Sequence, residues 1–384
     1  MTDLLSVNES AGPPPIEGVP TSIAAFAGRA AQGPVNDPVT VKGFRDFEQT
    51  FGGLWSESTL SYAVRDFFAN GGAEAIILRL NRADGGALRE ADFTGPGMED
   101  AKNGLYALEK AGLFNLLCIP PHEVSRDIEP GLVGAAAQYC EKKRAFLVVD
   151  APINWVDAGT AQSGMAGGVG TTSPNAAIYF PRLIEPNPLR RNQTEAFAPC
   201  GAVAGVMART DARRGVWKMP AGQEATLTGV TGLSILLTDA ESGALNVLGL
   251  NCLRAMRPGG FLVWGGRTLG GRQNPDWTYI PIRRLVLFVE ESVARGTQWA
   301  VFEPNGAPLW AQLRESVSTF LMGLWRQGAF QGSKPSDAFF VKCDAETMTQ
   351  QDIDNGIVNM VIGIAAVKPA EFVIIRIQQR SLSR

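Results

Sequence analysis

The strongest constraint on the fold is an alternation of short apolar runs with helical segments over the first 150 residues. Apolar runs occur at 22–27, 75–80, 114–119 and 145–150, and stretches with helical periodicity separate them. Strands that are apolar at nearly every position are typical of sheets buried on both faces, and strands joined through helices form βαβ units. The pattern predicts an α/β domain with a mainly parallel or mixed sheet.

The pattern changes further along the chain. Clusters of Gly, Ser, Thr, Pro and Asn predict surface loops at 157–175 and 185–195. From about residue 245 strands and helices alternate less regularly, which predicts an α+β domain in which 299–302 is a strand. We therefore divide the chain into an N-terminal arm at 1–21, an α/β domain at 22–244 and an α+β domain at 245–384.

Composition excludes several classes of function. The 384 residues carry a formal net charge of −3, so neither a basic nucleic-acid footprint nor a polybasic membrane patch is present. His122 is the single histidine, which excludes His-rich metal sites. No signal peptide and no apolar run of membrane-spanning length is visible.

Cysteine usage indicates an intracellular protein with reduced thiols. The five cysteines are widely spaced and none forms a CxxC pair, so neither a disulfide framework nor a zinc site is predicted. They are Cys118, Cys140, Cys200, Cys252 and Cys343.

Candidate catalytic groups are few. No P-loop, GxGxxG or GxSxG motif occurs. His122 follows a predicted strand at the edge where α/β sheets place active sites, with Cys118 and Glu123 nearby. Cys118 is expected to point into the core, however. Asp150 ends another strand, where capping a turn is the favoured interpretation over holding a metal.

A pair of carboxylates, Asp352 and Asp354, precedes a strand near the end of the chain. Such a pair can bind a cation, but capping a short helix is the favoured interpretation. We predict no catalytic residues, no cofactor and no metal. That absence in a chain of this size favours a structural role.

Several stretches resemble the contractile tail sheath family, which includes phage tail sheaths, sheaths of pyocin-like particles and sheaths of phage-derived injection systems. They include the words Phe51-Gly52-Gly53-Leu54-Trp55 and Tyr279-Ile280-Pro281-Ile282-Arg283-Arg284-Leu285, and the segments 15–26, 28–36, 60–72, 215–222, 296–305, 342–347 and 368–375. These follow the family's order along almost the whole chain. The family usually opens with a Pro-Gly-Val-Tyr-like strand, and 3–9 stands in its place here.

The resemblance implies a function and a set of partners. Sheath subunits form six-membered rings stacked helically around an inner tube, and contraction drives that tube through a target envelope. The implied partners are other copies of the chain, the inner tube protein, and baseplate and terminal cap proteins. The implied location is the cytoplasm on synthesis and then a phage tail or injection particle. The resemblance implies no cofactor and no enzymatic chemistry.

Both ends of the chain have the character of strands that could pair with a neighbouring subunit. An open helical tube needs contacts that do not close on themselves, and strand addition supplies them. At the N-terminal end the candidate residues are Leu4, Leu5 and Val7; at the C-terminal end they are Phe372, Val373, Ile374, Ile375, Arg376 and Ile377. These strands are expected to complete an inner α+β domain, with the α/β domain outside. Packing of the C-terminal strand on its own sheet stays open.

Charge and proline content add to this hypothesis. Residues 1–20 contain three acidic residues and no Lys or Arg, whereas the chain after Glu371 contains three arginines and no acid. Opposite charges favour pairing an N-terminal arm with a C-terminal arm, although ordinary solvated ends explain the charges equally well. The predicted hinges are Pro13, Pro14, Pro15, Lys368 and Pro369.

Two other functions stay open at the level of sequence. One is an intracellular α/β enzyme that acts on a small ligand near His122. The other is a static tubular protein that never contracts. Electron microscopy of the purified protein separates the three, because only a sheath forms tubes that change length.

Overall fold

The computed structural model describes residues 14–82, 84–256, 258–367 and 372–380, the last of these as backbone. Contacts divide the chain into a larger unit, residues 20–287, and a smaller unit, residues 1–19 with 288–384. The division falls within one helix, α8 (Ile280–Gly296). No helix among the described residues combines the length and apolarity needed to cross a membrane.

The larger unit contains most of the strands and helices. Its strands are β1 (Ala24–Gly28), β2 (Val39–Val41), β3 (Ala75–Arg79), β4 (Leu116–Cys118), β5 (Phe146–Asp150), β6 (Ala176–Phe180), β7 (Leu183–Asn187), β8 (Gln193–Phe197), β9 (Gly232–Leu233), β10 (Leu250–Met256) and β11 (Gly260–Val263). Its α-helices are α1 (Phe44–Phe51), α2 (Leu60–Ala69), α3 (Glu90–Thr94), α4 (Pro130–Lys142), α5 (Ala158–Gly167), α6 (Cys200–Arg214), α7 (Asp239–Val247) and the first half of α8 (Ile280–Gly296). Short 3₁₀ helices lie at Gly104–Ala111, Pro188–Arg190 and Pro275–Trp277.

The chain continues into the smaller unit with the second half of α8. It contains a 3₁₀ helix at Gln298–Phe302, then α9 (Ala307–Arg326), α10 (Pro335–Ala338), β12 (Phe339–Lys342), α11 (Gln350–Asp354), β13 (Ile357–Ala365) and β14 (Phe372–Arg380).

An eight-stranded mixed sheet forms the centre of the larger unit. The strand order is β11-β10-β6-β5-β4-β1-β3-β2, and the central strands are parallel while β2 and β11 pair antiparallel at the edges. Every residue of β1, β5 and β6 is buried. Helices α2 and α6 contribute to the core on one face, and α4 with the 3₁₀ helix at Gly104–Ala111 contributes to the core on the other. The predicted α/β class and the mainly parallel or mixed sheet are confirmed.

The observed division of the chain differs from the predicted one at 244/245. Strand β10 pairs parallel with β6, with Leu250 opposite Ile178, and β11 pairs antiparallel with β10. Residues 245–287 therefore complete the large sheet and its surroundings. The predicted boundary is wrong because this pairing joins strands about seventy residues apart, which local periodicity does not reveal.

Three local predictions are also wrong. The stretch 157–175 contains helix α5, which begins at a capping box in which Asp157 Oδ1 accepts from Thr160 N at 2.7 Å. The stretch 185–195 lies within the antiparallel hairpin of β7 and β8. The predicted strand at 299–302 is part of the 3₁₀ helix Gln298–Phe302. In the first case capping outweighs the low helix propensity of the three glycines within α5.

The β7–β8 hairpin is held against α2 by buried polar contacts. Tyr62 Oη donates to Asn187 Oδ1 at 3.0 Å, and the Tyr62 ring stacks on Phe197 with centroids 4.6 Å apart. Arg65 Nη2 donates to Glu185 Oε2 at 2.5 Å. These contacts explain why a polar segment that is typical of a loop forms an ordered strand.

Candidate assembly surface and the His122 cleft

The three-stranded sheet of the smaller unit contains the predicted C-terminal arm. Its order is β12-β13-β14, and both pairings are antiparallel. Strand β13 alternates buried and partly buried residues before becoming fully buried, as expected for a strand with one face on a core. Strand β14 pairs with β13 along nine residues, from Phe372 opposite Ala365 to Arg380 opposite Ile357.

Strand β14 lies at the edge of this sheet. Within the part of the chain that the structure describes, its second edge pairs with no strand. A nine-residue edge exposes a row of backbone donors and acceptors, which is a template for strand addition. The sheet therefore offers a backbone surface to which another strand can add.

The start of the described chain is anchored in the smaller unit. Ile16 is buried, and Val19 N donates to Ser292 Oγ at 3.1 Å. A Cβ added at Gly296 would lie 2.7 Å from Cγ2 of Ile16, so this close packing requires the glycine. Ser316 Oγ donates to the Pro14 carbonyl at 3.2 Å. Residues 14–19 of the predicted N-terminal arm are therefore packed on the smaller unit.

The structure describes only some of the predicted arm residues. Phe372, Val373, Ile374, Ile375, Arg376 and Ile377 lie in β14, paired with β13 of the same chain. Leu4, Leu5 and Val7 lie outside the described residues, as do Pro13, Lys368 and Pro369. Of the predicted hinges the structure describes Pro14 and Pro15, which are exposed and not part of a helix or strand.

A cleft surrounds His122 at the carboxyl ends of β1, β3 and β4, where the strand order turns back on itself. Its volume is about 390 Å³. Arg29 Nη1 lies 2.9 Å from His122 Nε2, and the Arg29 guanidinium lies 4.9 Å above the Trp55 ring. A guanidinium only donates, so Nε2 of His122 accepts and the ring is neutral. Burial, followed by the charge of Arg29, lowers the pKa of His122.

The other candidate residues that the sequence analysis named lie in the core or at the start of a helix. Cys118 is fully buried, and its Sγ lies 3.6 Å from the carbonyl oxygen of Cys200. Asp150 Oδ1 accepts from Cys200 N at 2.8 Å, at the start of α6, and burial raises the pKa of Asp150 to about 6. Asp352 forms a capping box with Thr349 at the start of α11. The capping interpretation of Asp352 is confirmed. Asp150 instead accepts from the first backbone N–H of the distant helix α6, and its Oδ2 has no hydrogen-bond partner.

Among the residues that the structure describes, no group of three or more His, Cys, Asp or Glu side chains is placed to hold a metal ion. Cys140, Cys200, Cys252 and Cys343 are buried like Cys118, and burial raises the pKa of all four thiols.

A buried carboxyl pair was not predicted from sequence. Asp66 and Glu185 both contact Arg65, through distances of 2.7 and 2.5 Å to its Nη2. Asp66 Oδ2 and Glu185 Oε1 are buried and have no other hydrogen-bond partner. Burial, followed by the charge of Asp66, raises the pKa of Glu185 to about 9. A proton held by Glu185 removes one of the two like charges from this buried site.

This pair predicts a pH dependence of stability. Because Glu185 holds its proton in the folded state and loses it near its ordinary pKa when unfolded, its stabilising effect is present below about pH 4.5 and is lost as pH rises toward 9. We expect Glu185→Gln to reduce that loss by up to about 1.4 kcal/mol per pH unit, measured by urea unfolding between pH 5 and 8.

Glu224→Gln is the control for this prediction, because Glu224 is 62% exposed and pairs with Arg214 at 2.7 Å. It should leave the pH dependence unchanged. Equal slopes for Glu185→Gln and the unmodified protein would show that Glu185 is ionised in the folded state.

Comparisons with known proteins identify the family. The model of the phage tail sheath protein central domain matches residues 94–269, and that of the phage tail sheath C-terminal domain matches 272–380. The contracted helical sheath of the anti-feeding prophage is 30% identical in sequence, with a TM-score of 0.76 over 99% of this chain and 100% of that one. The chain belongs to the phage tail sheath family.

Two further relatives of the sheath protein span nearly the same length. The sheath of an extracellular contractile injection system, the PVC complex in its contracted state, is 28% identical with a TM-score of 0.74, over 99% of this chain and 97% of that one. A protein described as a prophage major tail sheath protein of Pseudomonas aeruginosa is 25% identical over 90% of this chain and 86% of its own length. The chain is a contractile sheath protomer of phage-like or injection-system tails. The interpretation as a static tube is not supported.

Family membership makes a prediction for His122. We expect His122→Ala to leave tube assembly and contraction unchanged, because Arg29 keeps its contact with Trp55. Tube yield and the fraction of contracted particles, counted by electron microscopy, measure this. Loss of contraction in a protein with normal folding and normal tubes would assign His122 a functional role.

Proposed function

We propose that this sheath protein forms six-membered rings stacked around an inner tube, and that contraction drives the tube through a target envelope. The supporting observation is the near-complete match to sheaths solved in the contracted state. The proposed partners are further copies of the chain, the tube protein, and baseplate and terminal cap proteins. Structures of anti-feeding prophage baseplates also match this chain, at 29% and 26% identity.

We propose that the smaller unit carries the contacts that build the polymer, and that the larger unit forms the outer surface of the particle. The open edge of β14 supports the first assignment. In this arrangement a strand from residues 3–9 of a neighbouring copy adds to β14, and its acidic side chains meet an arginine-rich strand. Backbone hydrogen bonds hold the contact, and the charges select the pairing.

The anchor of residues 14–19 limits where an N-terminal arm can move. Ile16 and Val19 are fixed on the smaller unit, so a hinge next to this anchor can lie only before Ile16. A proline-rich segment holds its length while its ends rotate. We propose that Pro13, Pro14 and Pro15, with Lys368 and Pro369 at the other end, let linked subunits rotate during contraction without detaching.

Cryo-electron microscopy of the purified protein, alone and with its tube protein, tests this function. We expect tubes with six-fold cross-sections, and two states that differ in length and width. Dispersed monomers that bind a small ligand in the His122 cleft would contradict the assembly. Tubes of one invariant pitch, before and after a trigger such as mild acid or urea, would contradict contraction.

A further inference from the structure

An apolar patch remains uncovered on the larger unit. Val156 and Leu236 are 65% and 72% exposed, and Ile153 is 38% exposed. Ile153 and Val156 line one shallow groove together with Ile235, and Leu236 is the next residue along the chain. Exposed apolar side chains that gather at one place mark an interaction site, whereas scattered ones need no explanation.

The groove is formed where β5 and β6 end. Its volume is about 130 Å³, and Ala151, Trp155, Phe180 and Ala196 form much of its lining. This is smaller than the roughly 300–1,000 Å³ typical of small-molecule sites. We call it the apolar groove. Its size suits one or two inserted side chains of a protein partner.

An exposed apolar side chain also occupies the tip of the β7–β8 hairpin. Leu189 is 51% exposed, and its backbone N donates to Asn187 Oδ1 at 3.0 Å. Asn187 is itself held by Tyr62 of α2. Arg190 and Arg191 follow Leu189, and Arg191 turns the chain with φ of 55°. We call residues 188–192 the hairpin tip; it presents a leucine and two arginines on a fixed turn.

The hairpin tip and the apolar groove lie at opposite ends of the same hairpin. Ala196, which lines the groove, is opposite Ile184, whereas the tip begins beyond the pair Asn187–Gln193. At ~3.3 Å per strand residue, Leu189 lies about 15 Å from the groove end. The ordered hairpin therefore keeps the tip away from the groove of its own chain.

The two surfaces carry opposite charge. Arg190 pairs with Glu195 at 2.9 Å, and Arg191 adds a second positive charge to the tip. Beside the groove, Asp157 follows Val156 directly at the start of α5, and α5 packs against α7, whose first turn contains Glu241. The basic residues Arg182 and Arg254 are paired, with Asp127 at 2.8 Å and with Asp239 at 2.6 Å. The groove side is thus net acidic and the tip net basic.

We propose that the hairpin tip of one sheath protomer inserts Leu189 into the apolar groove of a neighbouring copy, with Arg191 facing Asp157 and Glu241. Two different surfaces that fit each other form a heterologous contact, which repeats from copy to copy without closing on itself. Such a contact suits a helical polymer and is independent of the terminal strands. It rests on the chain assembling with copies of itself.

A charge-exchange pair tests this contact. Leu189→Glu and Val156→Lys each place a charge in the interface, and both side chains are exposed enough for the protomer to fold normally. We expect each single variant to lower the sedimentable tube fraction by about tenfold, and the double variant to recover it through a Glu–Lys pair between copies. Val247→Lys is the matched control, because Val247 is 66% exposed on the same unit and lies outside the groove. It should assemble normally.

Cross-linking gives a second, independent measurement. In the variant with Leu189→Cys and Val156→Cys, mild oxidation of assembled tubes should produce a ladder of covalently linked protomers, because the five native cysteines are buried. Dispersed protomers should give no such ladder, and neither should Leu189→Cys paired with Val247→Cys.

The outcomes separate this inference from the proposed function. Failure of the unmodified protein to form tubes would reject the assembly itself. Normal tubes from both single variants, or cross-linking within a single protomer, would reject the tip–groove contact while leaving the sheath function in place. Tubes without a ladder would also reject it.

Discussion

Replacing Ile374 with proline is expected to yield a folded protomer that no longer assembles into tubes. Ile374 lies in β14 opposite Gly363 of β13, at the edge of the smaller unit's sheet. Proline removes a backbone donor and is poorly tolerated within a ladder, so an added strand loses its register there. Sedimentation and electron microscopy measure tube formation, and circular dichroism checks folding.

Proline substitutions at two neighbouring positions distinguish the edge of β14 that pairs with β13 from its open edge. Successive residues of a strand direct their N–H groups to opposite sides, so of Ile374→Pro and Ile375→Pro one weakens the pairing with β13 and the other affects only the open edge. Both should lose assembly if the open edge receives a strand. Ile374→Val is the matched control and should assemble, because it keeps the donor and the β-branched shape.

Deletion of residues 1–11 addresses the other half of the same contact. The anchor begins only at Pro14, so the shortened protein keeps Ile16 and Val19 in place and should fold. We expect it to remain dispersed, because it has no strand to add to β14. Normal tubes from both this deletion and the proline variants would reject strand addition as the basis of assembly.

Replacing Arg284 with leucine is expected to destabilise the protomer by about 3–5 kcal/mol. Arg284 and Asp211 are each 3% exposed and are joined by two hydrogen bonds of 3.0 and 2.5 Å. Arg284 Nη2 also donates to the Thr21 carbonyl at 2.9 Å, just before β1. Removing the arginine leaves the Asp211 carboxylate buried without its partner. Urea unfolding of dispersed protomers measures the loss.

Two comparisons sharpen this prediction. Exchanging Asp211 and Arg284 together for leucine should recover most of the stability, because no isolated charge is then buried. Arg214→Leu breaks an exposed pair with Glu224 at the end of the same helix α6 and should cost at most about 1 kcal/mol. Burial already raises the pKa of Asp211, so Arg284→Leu should be less harmful at pH 5 than at pH 8. Equal losses in the buried and exposed variants would contradict this account.

The sequence alone determined those strands and helices whose buried residues follow a regular pattern along the chain. Strands β1, β5 and β6 are apolar at nearly every position because a central parallel strand is buried on both faces. Helices α1, α2 and α9 were predictable because their apolar residues repeat with helical spacing. The capping role of Asp352 was predictable from its position just before a strand. The resemblance to sheath proteins rested on short sequence matches spread along the chain.

Tertiary structure decided whatever depends on partners distant in sequence. The polar strand β7 forms because Glu185 accepts a hydrogen bond from Arg65 and Asn187 accepts one from Tyr62. Both donors are more than a hundred residues away in sequence. The glycine-rich helix α5 packs closely on Trp155, where a Cβ at Gly164 would lie 2.2 Å from the indole. The unit boundary lies within α8 because β10 joins β6 in the large sheet. Local periodicity shows which side of a helix or strand is buried. The helix or strand that packs against that side is determined by contacts that form only in the folded chain.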